Sequence, residues 1–562
     1  MTLQIVLLGC LLPSVCEALL SDKKNGTWNL IGKIKAQATF RTIDTPDNNP
    51  IPIEAGDLIN QRTLLLIEFR HDLGQILAQP EIDYYLQLRA FYDSVWDIGP
   101  DVFSDDDTRR QYLFDNRDQI NDLKWDVDLF LAFIDITYGP LFTRSGRQII
   151  SWGEMSTKRI LDGTNPLDTT ASLAVDLLER MVPLAMVRTT LTFDNVGPFS
   201  SVGVDGYYVP GSIENKNGEE LIDGSAVYPP IGRNTVEELQ NPFSLSSLMQ
   251  IVDQVPDDID SDRYGVKLNM MLGFLELNLA YYRAYSDVPV PFLDIDAFQP
   301  IYLTWPHIGR ILGTLITDPS NFWNAFLGDQ KLRVVLTYDT VDVYGGSFNY
   351  YVAPIDTVLR GEMALYKDVP KIKPGSIADL VTELGGKVYL PGGNLTLGDL
   401  LSGVDLGGLA DMTLPFSSGT IATFDVLKYG IGIDKNIVTP LNRKKEFMLI
   451  FEYVGSKIFA YEENSIIYPW QGPNGETLYE PEYTHDFIFI ARTDYFKGQL
   501  VPQFTTFYEV VPRALVLIPA VTVFKGPWQF ECTYMHTFSK SYEQEGFLAS
   551  RNELTIGFAY NF

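Results

Sequence analysis

Histidine and cysteine are scarce in this chain: four His and three Cys are scattered over 562 residues. Haem attachment, iron–sulfur clusters and His/Cys zinc sites need such ligands in clusters, so the scarcity argues against all three. No metal and no cofactor are expected. Basic residues are also outnumbered, with 43 Lys+Arg against 72 Asp+Glu, a net charge of −29 and a pI near 4.5. No nucleic acid is expected as a partner, because binding phosphates requires a basic footprint. Beyond the N-terminal region no eighteen residues run uninterrupted and apolar, so no transmembrane helix is expected. Fixed-period repeats and low-complexity tracts are missing as well. What is present is a 46% hydrophobic and 20% charged composition, that of a folded protein. Aromatics are abundant, with 30 Tyr and 33 Phe. The length fits several ordinary domains or one large β architecture.

Residues Ile5 to Val15 form an apolar stretch too short to span a bilayer, followed by the small residues Cys16 and Ala18. This is the shape of a signal peptide, residues 1–18, cut after Ala18 and leaving 19–562 as one domain. A positive n-region is missing, since no Lys or Arg precedes Lys23. Leu7-Leu8-Gly9-Cys10 resembles a lipoprotein cleavage box, with little apolar sequence ahead of it. Cleavage after Ala18 leaves Cys532 alone, so no intramolecular disulfide can form. An exported protein without disulfides is common in Gram-negative bacteria.

The recurring pattern is alternation with period two over about ten residues. Over 28–41, Trp28, Leu30, Ile34, Ala36 and Phe40 share a face opposite Lys33, Lys35, Gln37 and Arg41. Residues 82–92 and 446–453 repeat it, the latter setting Phe447, Leu449, Phe451 and Tyr453 against Glu446 and Glu452. At the end of the sequence, Leu554, Ile556, Phe558, Tyr560 and Phe562 alternate with Glu553, Thr555, Gly557, Ala559 and Asn561. Further strands are expected at 62–73, 127–139, 141–153, 186–195, 199–210, 264–273, 275–286, 332–339, 342–352, 356–368, 425–434, 484–497, 501–512, 514–525 and 527–539. Tight turns at Gly139-Pro140 and Lys525-Gly526-Pro527 contrast with long segments at 98–125, 154–185, 211–262, 287–330 and 369–424. Short turns at one end and long loops at the other are the two faces of a barrel. The fold class is therefore all-β: a transmembrane antiparallel β-barrel of 16–18 strands with long acidic loops. Helical spacing at Val236–Val255 and Ser376–Leu384 suggests short helices folding into the lumen. The terminal aromatic face of Phe558, Tyr560 and Phe562 resembles the membrane-assembly signal of proteins handed to the barrel-assembly machinery.

Between Asp135 and Asp168 lie Gly139-Pro140-Leu141, Arg144-Ser145-Gly146-Arg147-Gln148, Trp152-Gly153-Glu154 and Asn165-Pro166-Leu167-Asp168. Tyr264-Gly265-Val266, Gly345-Gly346-Ser347-Phe348 and Val358-Leu359-Arg360-Gly361-Glu362 follow in order. These blocks resemble a bacterial family of uncharacterised porin-like outer-membrane proteins with a Gly-Arg-Gln…Trp-Gly-Glu…Asn-Pro-x-Asp signature. The chain departs from that pattern at Lys158-Arg159 and in the Gly-rich stretch near 385–415. The resemblance implies a diffusion channel or transporter of the outer membrane for small, hydrophobic or organic-acid solutes.

The residues point the same way on physical grounds. A charge facing lipid at mid-depth costs about 2–4 kcal/mol. Arg144, Gln148, Glu154, Arg360 and Glu362 are therefore the pore-lining candidates. Arg147 has the opposite parity to Arg144 and Gln148, which suggests a bulge or an interfacial position. These charges would either set a field across the pore or form an internal salt-bridge network that fixes strand register. Ser104-Asp105-Asp106-Asp107 and Asp257 to Asp262 are acidic loops; the latter fails the EF-hand pattern because Arg263 stands where Gly is needed. No enzyme is expected. His71, His307, His485 and His536 have no nucleophile motif beside them, and Walker and dinucleotide fingerprints are missing. The alternative is a secreted β-rich carbohydrate-binding protein or hydrolase, built on paired carboxylates. Expected partners are outer-membrane lipid and lipopolysaccharide, the barrel-assembly machinery and a small-molecule solute, and an oligomer is compatible with this reading.

Overall fold

A computed structural model describes residues 28–44, 53–75, 81–106, 108, 124–167, 180–211, 249–254, 262–286, 290–294, 298–317, 332–337, 339–376, 384–391, 395–397, 399, 413–414, 421–471, 477–511, 513–540, 549 and 552–562. Period-two segments become eighteen antiparallel strands in one sheet. The first six are β1 (Trp28–Arg41), β2 (Leu58–Gln75), β3 (Glu81–Asp93), β4 (Trp125–Tyr138), β5 (Leu141–Gln148) and β6 (Leu184–Val196). Next come β7 (Phe199–Val209), β8 (Arg263–Leu272), β9 (Leu275–Tyr285), β10 (Thr340–Val352), β11 (Thr357–Lys371) and β12 (Ala422–Thr439). The last six are β13 (Asn442–Ile458), β14 (Tyr483–Arg492), β15 (Leu500–Glu509), β16 (Ala514–Lys525), β17 (Trp528–Phe538) and β18 (Glu553–Asn561).

Each strand pairs with its sequence neighbour, and β1 also pairs with β18, which closes the barrel. Closure leaves the barrel sheet without an edge strand among the described residues. In the seam Ile34 lies opposite Tyr560, Ala36 opposite Phe558 and Ala38 opposite Ile556. Phe562 extends it: its N–H donates to the Gly32 carbonyl and its carbonyl accepts from the Gly32 N–H, both at 2.8 Å. A Cβ on Gly32 would stand 2.2 Å from the Phe562 ring, so the ring requires glycine beneath it.

Large apolar side chains point outward in a band. Ile556 and Phe558 on β18, Phe530 on β17 and Phe451 on β13 are exposed on the outer wall. Strand β4 shows the pattern with a shift. Trp125, Val127 and Leu129 are exposed, and so are Ile134, Ile136 and Tyr138, of opposite parity. The change comes where Gln87 pairs with Leu131 and Leu88 with Leu129, leaving Phe130 as the extra residue of a bulge. An apolar outer face with charged groups turned inward is the inverse of a soluble core and the pattern of a barrel set in lipid.

The two ends differ as expected. Tight connections join β4 to β5, β6 to β7, β8 to β9, β12 to β13 and β16 to β17. The strand ends that flank the connections 94–124, 149–183, 210–262, 286–339 and 372–421 all lie at the other end. Four expectations need correction. Strand 141–153 stops at Gln148, and the chain then leaves the sheet. The strand expected at 332–339 forms, as Leu332–Thr337, but in a separate three-stranded sheet with Met249–Gln254 and Val290–Asp294. In place of the helix expected over Val236–Val255, its described part is that strand, and 236–248 and Val255 lie outside the described residues; so does 377–383 of the second candidate. A helix that the spacing did not suggest, Trp305–Thr317, occupies the 286–339 loop. The signal-peptide region, Asp107, Asp168 and residues 257–261 also lie outside the described residues.

Candidate functional site in the barrel lumen

Beyond Gln148 the chain turns into the lumen, and its own polar side chains shape the turn. Oδ1 of the buried Asp162 accepts from the N–H groups of Trp152 and Gly153, the latter at 2.8 Å. Oδ1 of Asn165 accepts from the Ile150 N–H at 2.9 Å, and its Nδ2 donates to the Val182 carbonyl at 2.8 Å. These two side chains satisfy backbone groups that no ladder serves. Gly153 is needed because a Cβ there would stand 2.6 Å from Asp162.

The segment docks on the wall through carboxylates. Oε2 of Glu362 on β11 accepts from the N–H groups of Glu154 at 2.6 Å and Met155 at 3.1 Å, while Oε1 accepts from the Leu161 N–H. Glu452 on β13 accepts from the Ser156 N–H at 2.8 Å and from the Thr157 hydroxyl at 3.3 Å. Arg360 stands between them. Its Nη2 reaches Asp434 at 2.7 Å and Glu452 at 2.9 Å, and its Nη1 donates to the Glu154 carbonyl. The Glu154 side chain accepts from Asn349 at 2.6 Å and from Asn278 and Ser347 at 3.4 Å. Lys158 pairs with Asp486 on β14 at 2.8 Å and with Glu509 on β15 at 3.1 Å, both carboxylates being buried. Charge-assisted bonds of this kind are worth about 1.5–3 kcal/mol each.

Apolar packing completes the seat. Trp152, 2% exposed, donates from Nε1 to Asp205 on β7 at 3.0 Å, and Asp205 is held bidentately by Arg188. Its ring lies among Tyr207 and Tyr282, with Lys267 over its face at 5.7 Å. Tyr282 accepts from the Gly163 N–H, and Tyr366 donates to the Ile160 carbonyl at 2.7 Å. Ile150, Met155, Ile160 and Leu161 bury themselves against the same wall.

The sequence-nominated residues are thus distributed unequally. Glu154, Arg360 and Glu362 gather at the seat, with Arg360 and Glu362 buried beneath the segment; Gln148 is buried at the end of β5, where its Nε2 donates to the carbonyls of Arg144, Gly146 and Met186. Arg144 stands apart on β5, bonded to Asp135 through Nε at 2.7 Å and Nη2 at 2.8 Å. Arg147 follows Gly146, whose φ is +132°, and pairs with Asp128. The acceptors Asp162, Asp205, Asp486 and Glu509 were not nominated. For Asp205, Asp486 and Glu509 the one sequence signal is an acid on the inward parity of a strand, which a pore-lining acid shares; Asp162 lies off the sheet and carries no such signal.

A family model matches residues 17–562, nearly the whole length. The chain belongs to that family, described as "Protein of unknown function (DUF1302)". No curated protein matches this family member. Among solved structures it is similar to OccAB1 of Acinetobacter baumannii, at 9% identity over 97% of this chain and 99% of that one, with a TM-score of 0.44. It is also similar to OccAB3 of the same organism, at 6% identity over 95% and 99%, TM-score 0.42. OccD3 (OpdP) of Pseudomonas aeruginosa is similar at 10% identity over 95% and 91%, TM-score 0.38.

Proposed function

We propose that the protein is an outer-membrane channel of a Gram-negative bacterium, delivered by a signal peptide at residues 1–18 and passing small hydrophobic or organic-acid solutes. The observation that carries this reading is a closed eighteen-stranded barrel with an apolar outer band and a folded segment seated across its interior. In this reading such a segment narrows the tube and sets what fits through. In this reading Arg144 lines the passage, while Arg360 and Glu362 define its width by holding the segment at Glu154. The Trp152-Gly153-Glu154 and Asn165-Pro166 parts of the signature are the residues that fold and anchor it. Lipid and lipopolysaccharide cover the outer band, and the Phe558, Tyr560 and Phe562 face is the part read by the assembly machinery. Neighbouring copies can pack through the same band.

The test is a planar-bilayer recording of purified protein, with gel mobility compared before and after boiling. Discrete conductance steps and a heat-dependent mobility shift are expected. A protein soluble without detergent, with mobility unaffected by heating, would falsify the barrel-channel reading.

A further inference from the structure

The wall of the barrel is not equally tall all round. Strands about 4.8 Å apart and tilted by about 40° step down by about one residue from each to the next. From β4 to β5 the step is six residues. Ala132 pairs with Arg147, which sets Gln148, the last residue of β5, level with Leu131, while β4 runs on to Trp125. That difference is about 20 Å of strand. The rim then stays low. Leu184, the first residue of β6, pairs with Gln148, and Val209 at the end of β7 pairs with Arg263 at the start of β8. Among the described residues no strand continues the sheet above this rim.

The outer aromatic residues show the same lowering. On β7 and β8, Tyr208 and Tyr264 are exposed one residue from the strand end. On β10 and β13, Tyr344 and Tyr453, of the same outer parity, are followed by four and five more residues of strand. Such rings mark the boundary of the apolar band. The described wall therefore ends at that boundary on β7 and β8 and stands clear of it elsewhere. Beside the low rim, Trp125, Val127 and Leu129 of β4 are exposed on the outer parity above the level of β5. Lipid that covers these three side chains stands level with the gap.

An open sheet edge is not left against hydrocarbon. Here a side chain serves it: Arg147 donates from Nη1 to the Leu129 carbonyl at 3.3 Å and pairs with Asp128 at 2.7 Å. The edge is satisfied without the wall being continued. Over the rim the two limbs of the inward segment meet, where the Val182 N–H donates to the Pro166 carbonyl at 2.8 Å and Leu167 bridges to Met181. Ile149, Leu167 and Val182 are half-buried there. Inside, Phe91, Phe130 and Phe133 are half-buried on β3 and β4. The charges beside them are already paired, Arg144 with Asp135 and Arg147 with Asp128. The surroundings of the gap are apolar, and their charges are compensated.

We propose, resting on the channel reading above, that the lowered wall at β5–β8 is a side entrance between the lumen and the outer leaflet, and that it passes an uncharged, lipid-soluble molecule with a long apolar body. Trp125, Val127 and Leu129 form one lip of the entrance, and the rim of β6–β8 forms its sill. A molecule dissolved in the leaflet reaches the lumen through it without crossing the water above the long loops. The inward segment is the first surface it meets.

The experiment uses full-length protein in phosphatidylcholine vesicles and hexadecanol carrying a diazirine at the chain end. After photolysis and trypsin digestion, peptides of the outer band are labelled in any event and serve as the internal standard. The peptide 148–158 of the inward segment should be labelled as well. In V127K/L129K, checked for folding by its heat-dependent mobility, that label should fall at least about tenfold, because a charge on the lip bars an apolar body. Outer-band label and potassium chloride current should persist. L129C/C532S, modified after folding with a bulky maleimide, repeats the test without asking a charged strand to insert. Label confined to the outer band overturns the side entrance and leaves the channel standing. Label on 148–158 undiminished in both blocked forms overturns it too, since the alcohol then arrives through the mouth. Label that depends on an open lip, in a protein that carries no current, supports the entrance and sinks the channel reading instead.

Discussion

The backbone N–H of Glu154 donates to the carboxylate of Glu362 at 2.6 Å across 208 positions of sequence. Oε2 of that carboxylate also accepts from Met155, and Oε1 accepts from Leu161, so one side chain holds both limbs of the inward segment. Replacing Glu362 with Gln keeps the size, removes the charge and turns one acceptor into a donor facing an N–H group. A loss of about 2–4 kcal/mol in docking is expected, from charged hydrogen bonds weakened or broken. The adjacent Lys158-Arg159 peptide reports on it. Trypsin should cut there slowly in wild-type protein and at least about tenfold faster in E362Q, with the barrel still resistant. Equal cutting rates would mean that Glu362 does not hold the segment.

Lys158 serves two buried carboxylates on adjacent strands. Lys158→Met removes the cation that the buried Asp486 and Glu509 share, and breaking a buried pair in this way costs about 3–5 kcal/mol. The expected result is a lower unfolding temperature in detergent. Neutralising the acids as well, in K158M/D486N/E509Q, should restore much of the loss. A triple variant no more stable than K158M would place the defect elsewhere.

At the seam, Gly32→Val puts a branched side chain where the Phe562 ring lies. The ring must move, at about 1–3 kcal/mol for overpacking. Removing Phe562 deletes the last pair of backbone hydrogen bonds between β1 and the chain end. Both changes should lower the fraction of protein that shows heat-dependent mobility, and Gly32→Ala should lower it less than Gly32→Val.

Cys532 lies opposite Val521 and Ile556, on the outer parity of β17. It is exposed, and on the present reading it faces lipid. A polar, membrane-impermeant maleimide should label it poorly in intact membranes, whereas an apolar bimane should label it and emit as in hydrocarbon. Ready labelling by the polar reagent would remove that face from the bilayer.

Most of the barrel is legible in the sequence because a strand with one face in lipid and one facing inward must alternate. The same rule overran at 141–153. Trp152 and Glu154 keep the period of Arg144 and Gln148, yet they bury against β7 and β9–β11 after the chain has left the sheet. Alternation records which side chains are buried, and a segment anchored at every second residue satisfies it without a ladder. Leu332–Thr337 shows a second gap: its apolar run makes a strand, but nothing in six residues says which sheet receives it. Arg360 and Glu362 are legible as inward-facing. What they touch depends on Glu154 and Ser156, some two hundred residues earlier, and no local pattern carries that information. Glu452 is a plain inward acid until Ser156 is placed on it.

The acceptors of segment 149–165 are spread from Asp205 to Glu509, over strands made long after the segment itself. Its hydrogen bonds cannot close until β7–β15 stand side by side, and contacts of such separation form late. The segment therefore cannot be seated before that arc of the wall is built, and its docking reports that β7–β15 have paired.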